Sequence, residues 1–494
     1  MARTASLVTL PMIQLDPTSP QPRYRQLYDG LRAAILAGQL APGTRLPSSR
    51  SFAAELGVAR NTVVNAFEQL IAEGYIEGQV GAGTQVAQAL PDDLLTASVV
   101  PSVGVTVPRP GRELSQRGVL LAATRVSVAR PSRSMRAFRT GLPDFATFPF
   151  EIWAQIEARH WRNPPRELLG YGDPAGYRPL REAIAAYLGA ARAVRCTADQ
   201  VIIVAGSQQG LDIAARLLLD PGDAAWVEEP GYTGAKGALS AAGARLVPVP
   251  VGPEGLDVAA GIAACPTARL AYVSPSHQYP LGVTLSLAQR LALLDWADHA
   301  QAWILEDDYD SEYRYTSRPL AALQGLDRAE RVLYIGTFSK VLFPALRLGY
   351  VVVPPDLVSP FVAARAVADR HSPSIEQAVV ADFIREGHFA RHIRRMRALY
   401  AERQAILLDA AHQTFGDRLS IPSAEAGMHL VAWLPDGADA ATIAIRAEAL
   451  GVVVQPLSAY TTTPLARQGL LLGYAAFPTE EIRAGMRQLA RAWE

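Results

Sequence analysis

Between about residues 21 and 88, apolar positions recur at helical spacing. Tyr24, Leu27, Leu31 and Ile35 predict a first amphipathic helix ending near Gly38, and Pro42-Gly43 predicts a turn. Ser48 or Ser49 can cap a second short helix that carries Phe52 and Leu56 and is closed by Gly57. A third helix is predicted from Arg60 to Glu73. Its Val63, Phe67 and Leu70 share one face, so Asn61, Asn65 and Gln69 point the other way. Two short β pieces over residues 74–86 surround glycines that include Gly81 and Gly83, the outline of a wing.

From 89 to 118 the pattern lapses into prolines and small residues. That stretch reads as an interdomain linker, with a surface loop inside one domain as the alternative. Beyond it, short apolar runs alternate with helical segments. Runs at 201–204, 270–273, 303–305, 332–335 and 350–353 predict buried strands, and the alternation predicts a largely parallel sheet wrapped by helices. The organisation expected is a tail over 1–20, a DNA-binding domain over 21–88, the linker, and a larger domain over 119–494.

Composition narrows this. A chain of 494 residues exceeds one ordinary core, and 49% apolar with 19% charged residues is ordinary globular usage. No apolar run reaches membrane-spanning length, and the N-terminus lacks the pattern of a secretory signal. Cys196 and Cys265 show no metal-ligand spacing, so a reducing cytoplasm without disulfides or a metal site is expected. Net charge is zero, so any contact with DNA must come from a local patch. Of the 47 basic residues only Lys236 and Lys340 are lysines, and a lysine retained against that bias calls for a role arginine cannot fill.

The outer face of the third helix suits the major groove, where Asn and Gln pair with adenine edges. Arg45, Arg50 and Arg60, with Ser48 and Thr62, would contact phosphates and fix register. Periodicity by itself fits a purely structural three-helix module as well.

In the larger domain, Gly336-Thr337-Phe338-Ser339-Lys340 follows a predicted strand, with Arg347 close behind. An amine that bonds a carbonyl must be lysine, since guanidinium stays protonated. Lys236, in a Gly/Ala-rich segment, lacks that setting. Glu306-Asp307-Asp308-Tyr309 ends another strand, and a carboxylate buried there needs a cation such as a protonated pyridine nitrogen. Alone, such a strand end is more often a metal ligand or a helix cap. Gly206-Ser207-Gln208 lies between strand and helix and could cradle a phosphate. Tyr232 could stack on a ring or be a plain core tyrosine.

The string Gly43-Thr44-Arg45-Leu46-Pro47-Ser48-Ser49-Arg50, with Glu55-Leu56-Gly57-Val58-Ala59-Arg60-Asn61-Thr62-Val63, closely resembles the GntR-type winged helix-turn-helix, with Ala59 where that family often has Ser. The larger domain resembles fold-type I aminotransferases, α/β proteins with a mainly parallel central sheet. Together they resemble the MocR/GabR group of transcription regulators, which includes PdxR-like activators of vitamin B6 synthesis. The resemblance implies pyridoxal 5'-phosphate as cofactor, with Lys340 as the Schiff-base lysine, Asp307 on the pyridine nitrogen, Tyr309 on O3′ and Tyr232 stacked on the ring. Ser207, Gln208, Thr337, Ser339 and Arg347 match the phosphate cup, and Tyr171 the tyrosine that reaches a neighbouring subunit's phosphate. It also implies double-stranded operator DNA and RNA polymerase as partners, and a head-to-tail homodimer with swapped DNA-binding heads.

Two departures bear on activity. His277-Gln278-Tyr279-Pro280 replaces the usual Asn-Pro turn, and Leu471 stands where an arginine normally clamps a substrate carboxylate. Gly234 also lacks the arginine of γ-aminobutyrate-sensing members, and Arg467 is the one candidate to compensate. Three functions compete: a regulator sensing pyridoxal phosphate or an amine on it, an aminotransferase that also binds DNA, and a regulator whose second domain is only structural. The departures count against turnover and favour pyridoxal phosphate over γ-aminobutyrate as effector.

Overall fold

The computed structural model describes residue 13 and residues 15–79, 83–90, 113–123, 136–315 and 320–494. Gly81, most of the expected tail and residues 91–112 of the expected linker lie outside the described residues. The chain divides into two compact units, Met1–Arg112 and Glu113–Glu494.

The first unit runs α1 (Arg23–Leu36), α2 (Ser49–Leu56), α3 (Arg60–Ala72), β1 (Ile76–Gln79) and β2 (Gly83–Val86). The Ser48 hydroxyl accepts from Ser51 N at 3.2 Å, capping α2, and Gly57 closes it at φ +64°. Leu27, Leu31, Ile35, Phe52, Val63, Phe67 and Leu70 form the buried core. Tyr24 departs from expectation: it sits in the first turn and is 38% exposed, and Tyr28 fills that end of the core instead. The Tyr28 hydroxyl donates to the Glu73 carboxylate, fastening α1 to the end of α3. Burial, then the contact with Glu73, pushes that phenol up to about 12. β1 and β2 pair antiparallel with Ile76 opposite Val86.

The second unit is built on an eight-stranded sheet of β3 (Val201–Val204), β4 (Ala224–Glu229), β5 (Arg245–Gly252), β6 (Gly255–Leu256), β7 (Leu270–Val273), β8 (Trp303–Asp308), β9 (Val332–Thr337) and β10 (Gly349–Val352). Their order is β3-β10-β9-β8-β7-β4-β5-β6. Pairs from β9 through β5 are parallel, while β10 runs antiparallel to both its neighbours, so the sheet is mainly parallel. Helices cover it, and the strands alternate side chains between apolar clusters on its two faces, which is why they read as continuous apolar runs. β4 and β5 were not among the predicted strands, because β4 ends in Glu228 and Glu229 and β5 carries Pro248 and Pro250. A smaller sheet of β11 (His429–Trp433), β12 (Gln455–Pro456) and β13 (Gly469–Gly473) follows, in the order β11-β13-β12. The helix Gln116–Ala123 begins inside the stretch read as linker. Among the described residues no helix is long and apolar enough to cross a membrane.

Candidate functional site

A cavity of about 320 Å³ opens where the C-terminal ends of β8 and β9 meet the N-terminus of the helix Ser207–Leu218. Parallel sheets expose backbone groups and loops at such strand ends, which is where their ligands bind. Lys340, Asp307, Tyr309, Tyr232, Ser207, Gln208, Thr337, Ser339 and Arg347 all line it. Sequence positions more than a hundred residues apart therefore converge on one space.

Lys340 follows β9 and donates from Nζ to the Gly141 carbonyl at 2.8 Å. Desolvation holds its pKa below the ordinary lysine value, against the opposing pull of Asp310 and Asp307. That favours the neutral, nucleophilic amine.

Strand pleating separates the three consecutive acids. Glu306 accepts from the backbone of Leu323 and Gln324 at 2.7 and 2.8 Å and so caps a short helix. Asp308 pairs with Arg192 at 2.8 Å and accepts from the Tyr334 hydroxyl at 2.6 Å. Asp307 alone of the three lines the cavity. Its Oδ2 accepts from the Tyr272 hydroxyl at 2.7 Å, while Oδ1 is buried without a partner among the described residues. Burial raises its pKa to about 6 even with the Tyr272 contact lowering it. A buried oxygen left unpaired is costly, so this one is set for a donor or cation from the cavity.

The anion cradle has its own geometry. Gly206 precedes the helix at φ +108°, and a Cβ there would lie 3.4 Å from the Arg347 guanidinium. Glycine thus serves the turn, and Arg347 reaches the helix N-terminus, where backbone N–H groups and positive charge meet. Ser339 N donates to the Thr337 hydroxyl at 3.1 Å, shaping the loop opposite. At Gly234 a Cβ would fall 2.4 Å from Tyr232 Cζ and 2.6 Å from Gln208 Oε1. A side chain there would have to displace the tip of the Tyr232 ring or the Gln208 amide.

Other expected residues lie elsewhere. Tyr171 does not line the cavity; it is 85% exposed, with Arg370 packed 4.4 Å over its ring. Arg467 is not at the cavity either. It bonds the Leu434 carbonyl at 3.3 Å and covers the Trp433 ring, so it does not stand in for the carboxylate clamp. Leu471 sits in an apolar cluster with Leu457 and Tyr460. Lys236 is buried and ion-paired with Glu229 at 2.6 Å. Sequence reasoning missed Tyr272, Asp310, Thr140, Gln455, Tyr460 and His429, and it quoted His277 without a role. Tyr272 sits in a strand that reads as plain core, and the others come together only through the fold.

On the first unit, Arg45, Ser48, Arg50, Arg60, Asn61 and Asn65 are exposed and Thr62 is half-buried. Arg60 Nε reaches the Ser49 hydroxyl at 3.4 Å, which joins the starts of α2 and α3. Ala59 caps α3 with no side-chain hydrogen bond, as the missing serine implies. Gly83 opens β2 at φ +89° with nothing near its Cα substituent position. Gln69 is half-buried and donates to Glu73, one turn further along α3, at 3.0 Å.

Residues 23–86 match the family of bacterial regulatory proteins of gntR type, and residues 137–489 match aminotransferase class I and II. The chain is 44% identical over 484 residues to the probable rhizopine catabolism regulatory protein MocR of Rhizobium meliloti, covering 98% of this chain and 96% of that one. It is 30% identical to the pyridoxine biosynthesis transcriptional regulator PdxR of Corynebacterium glutamicum, across 98% of this chain and 99% of that protein. Among solved structures, the α-aminoadipate aminotransferase LysN of Thermus thermophilus, complexed with N-(5'-phosphopyridoxyl)-L-leucine, superposes with a TM-score of 0.70 at 31% identity. That match covers 76% of this chain and 96% of LysN. A GntR-type DNA-binding head joined to an aminotransferase class I and II domain defines the class. The chain belongs to the MocR family of transcription regulators.

Proposed function

We propose that the chain is a pyridoxal phosphate-dependent regulator that binds operator DNA through its first unit and carries the cofactor in the cavity of its second. The observation that carries this is the pairing, around one cavity, of Lys340 with a buried Asp307 that has one oxygen unpartnered. These residues fit the cofactor. Lys340 would hold it covalently, Asp307 would pair with its protonated ring nitrogen, Tyr309 would contact its phenolic oxygen and Tyr232 would pack on its ring. Ser207, Gln208, Thr337, Ser339 and Arg347 would hold its phosphate. When bound, the cofactor supplies an electron-withdrawing carbonyl that reacts with amines.

The exposed Tyr171, Val367 and Leu169 support a homodimer in which Tyr171 completes the partner's phosphate site, with heads exchanged between subunits. Arg45, Ser48, Arg50, Arg60 and Thr62 would contact phosphates, with Gly83 in the wing, and Asn61 and Asn65 would read base edges. The protein would act in the cytoplasm, with RNA polymerase as a further partner. The signal is pyridoxal phosphate itself, controlling vitamin B6 genes, as the missing arginines at Gly234 and Leu471 suggest. A second reading, an amine bound beside the cofactor, is favoured by the part of the cavity lined by Thr140, Gln455 and Tyr460.

Borohydride reduction of the purified full chain followed by peptide mapping tests the cofactor assignment, with only two lysines to separate. The pyridoxyl group is expected on Lys340. Lys236, held between Glu229 and the Tyr460 carbonyl, should carry none. Label on Lys236, or no label at all, would overturn the assignment.

A further inference from the structure

The cavity wall is completed by Thr140, Tyr279, Gln455, Tyr460 and His429, from separate parts of the chain. Four of them form one hydrogen-bonded set. The hydroxyls of Tyr279 and Tyr460 lie 2.9 Å apart, and Tyr460 donates to Gln455 Oε1 at 2.6 Å. The Thr140 hydroxyl donates to the same oxygen at 2.8 Å. The Gln455 amide NH₂ has no partner among the described residues. Tyr460 is fixed in place: Lys236 Nζ binds its carbonyl at 2.9 Å and Glu229 at 2.6 Å, and Glu229 accepts from Thr463 N at 3.0 Å. The buried ion pair gives Lys236 a role, holding the segment that forms this wall.

The set is neutral. The Lys and Arg side chains lining the cavity are Lys340 and Arg347, both in the cofactor's part of it. His429 adds no charge, since burial and then His277 hold its pKa near 3. Leu471, where a clamp would stand, is enclosed by apolar neighbours. A carboxylate placed here would lose its water and gain no cation, which is strongly disfavoured. Hydroxyl groups fit, because phenols, threonine and a primary amide both donate and accept. Nearer Lys340, the carbonyl that the cofactor would bring reacts with primary amines.

We propose that this end of the cavity takes a primary amine that bears hydroxyl groups and no carboxylate, an amino alcohol or amino-polyol, bound beside the cofactor. This rests on pyridoxal phosphate at Lys340. Serinol and serine differ only by a hydroxymethyl group in place of a carboxylate, so they isolate the feature at issue. The cofactor-loaded full chain is titrated with each by calorimetry, with glucosamine as a larger hydroxylated amine. The hydroxylated amines are expected to bind at least about tenfold more tightly than serine. Tyr460→Phe keeps the ring and removes the hydroxyl that joins Tyr279 to Gln455, and Gln455→Met removes the amide; either should erase most of that preference. Serine binding as tightly as serinol, no binding by either hydroxylated amine, or a preference unchanged in both variants would each overturn the proposal. A chain that holds no cofactor in its visible spectrum would instead overturn the assignment on which it rests.

Discussion

His277 Nδ1 lies 2.9 Å from the Tyr309 hydroxyl and 3.0 Å from Asp310 Oδ2, so one buried imidazole joins a cavity tyrosine to a buried carboxylate. Asp310 can only accept when ionised, so Nδ1 donates, and the Tyr309 oxygen shares that donation. The Tyr309 proton is thereby left to point into the cavity. His277 lies in the His277-Gln278-Tyr279-Pro280 turn that stands in place of the usual Asn-Pro turn, and it contacts Tyr309 directly. His277→Ala should weaken cofactor binding about tenfold, the value of one such buried contact. It should also shift the pH at which the bound cofactor's visible band changes form. A variant that only loosens the fold would not move that midpoint, and an unmoved midpoint would leave His277 a packing residue.

Asp307 gives a pH-dependent prediction whose sign depends on the cofactor. Its carboxyl takes a proton near pH 6 in the fold rather than near 4, so the cofactor-free protein loses its contribution to stability as pH rises through that window. Ionised above it, the group costs about 3 kcal/mol. Asp307→Asn keeps an acceptor for Tyr272 and removes the charge. It should raise the melting temperature of cofactor-free protein at pH 8, leave it little changed near pH 4, and lower cofactor affinity. Glu228 and Glu306 also titrate near 7 through burial, so the comparison must be between variant and parent at each pH.

How much of this was legible in the chain differs by element. Lys340 and Asp307 stood out because each is a residue type whose chemistry the surrounding composition makes conspicuous: a rare lysine, and acids at the end of an apolar run. Three adjacent acids, however, look alike in sequence. Only the pleat of β8 sends Asp307 to the cavity while Glu306 caps a helix and Asp308 meets Arg192. The Thr140, Tyr279, Gln455 and Tyr460 set was invisible, since its members lie far apart in the chain and meet only through the tertiary fold.

On the DNA-binding head, the exposed cations and amides should separate by experiment. Arg50→Ala and Arg60→Ala should weaken binding to all sequences and reduce the slope of log affinity against log salt by about 1 each. Asn65→Ala should cost about 1–3 kcal/mol on the operator and little on unrelated DNA, relaxing discrimination. Gln69→Ala, tied to Glu73 rather than free, should leave operator preference nearly unchanged. Fluorescence anisotropy on operator and scrambled duplexes at several salt concentrations distinguishes these outcomes.

If pyridoxal phosphate is the signal, the cofactor cavity governs what the head does on DNA. The most direct test is a footprint and affinity titration of the full chain on its operator, first stripped of cofactor and then with pyridoxal phosphate added back. Lys340→Ala serves as the matched control. The cofactor is expected to alter operator affinity or footprint in the parent, and the alteration to be lost in Lys340→Ala, because a ligand shifts an equilibrium only through differential binding to its states. An operator footprint and affinity identical with and without cofactor, or sustained keto-acid production from amino acids at ordinary enzymatic rates, would contradict it.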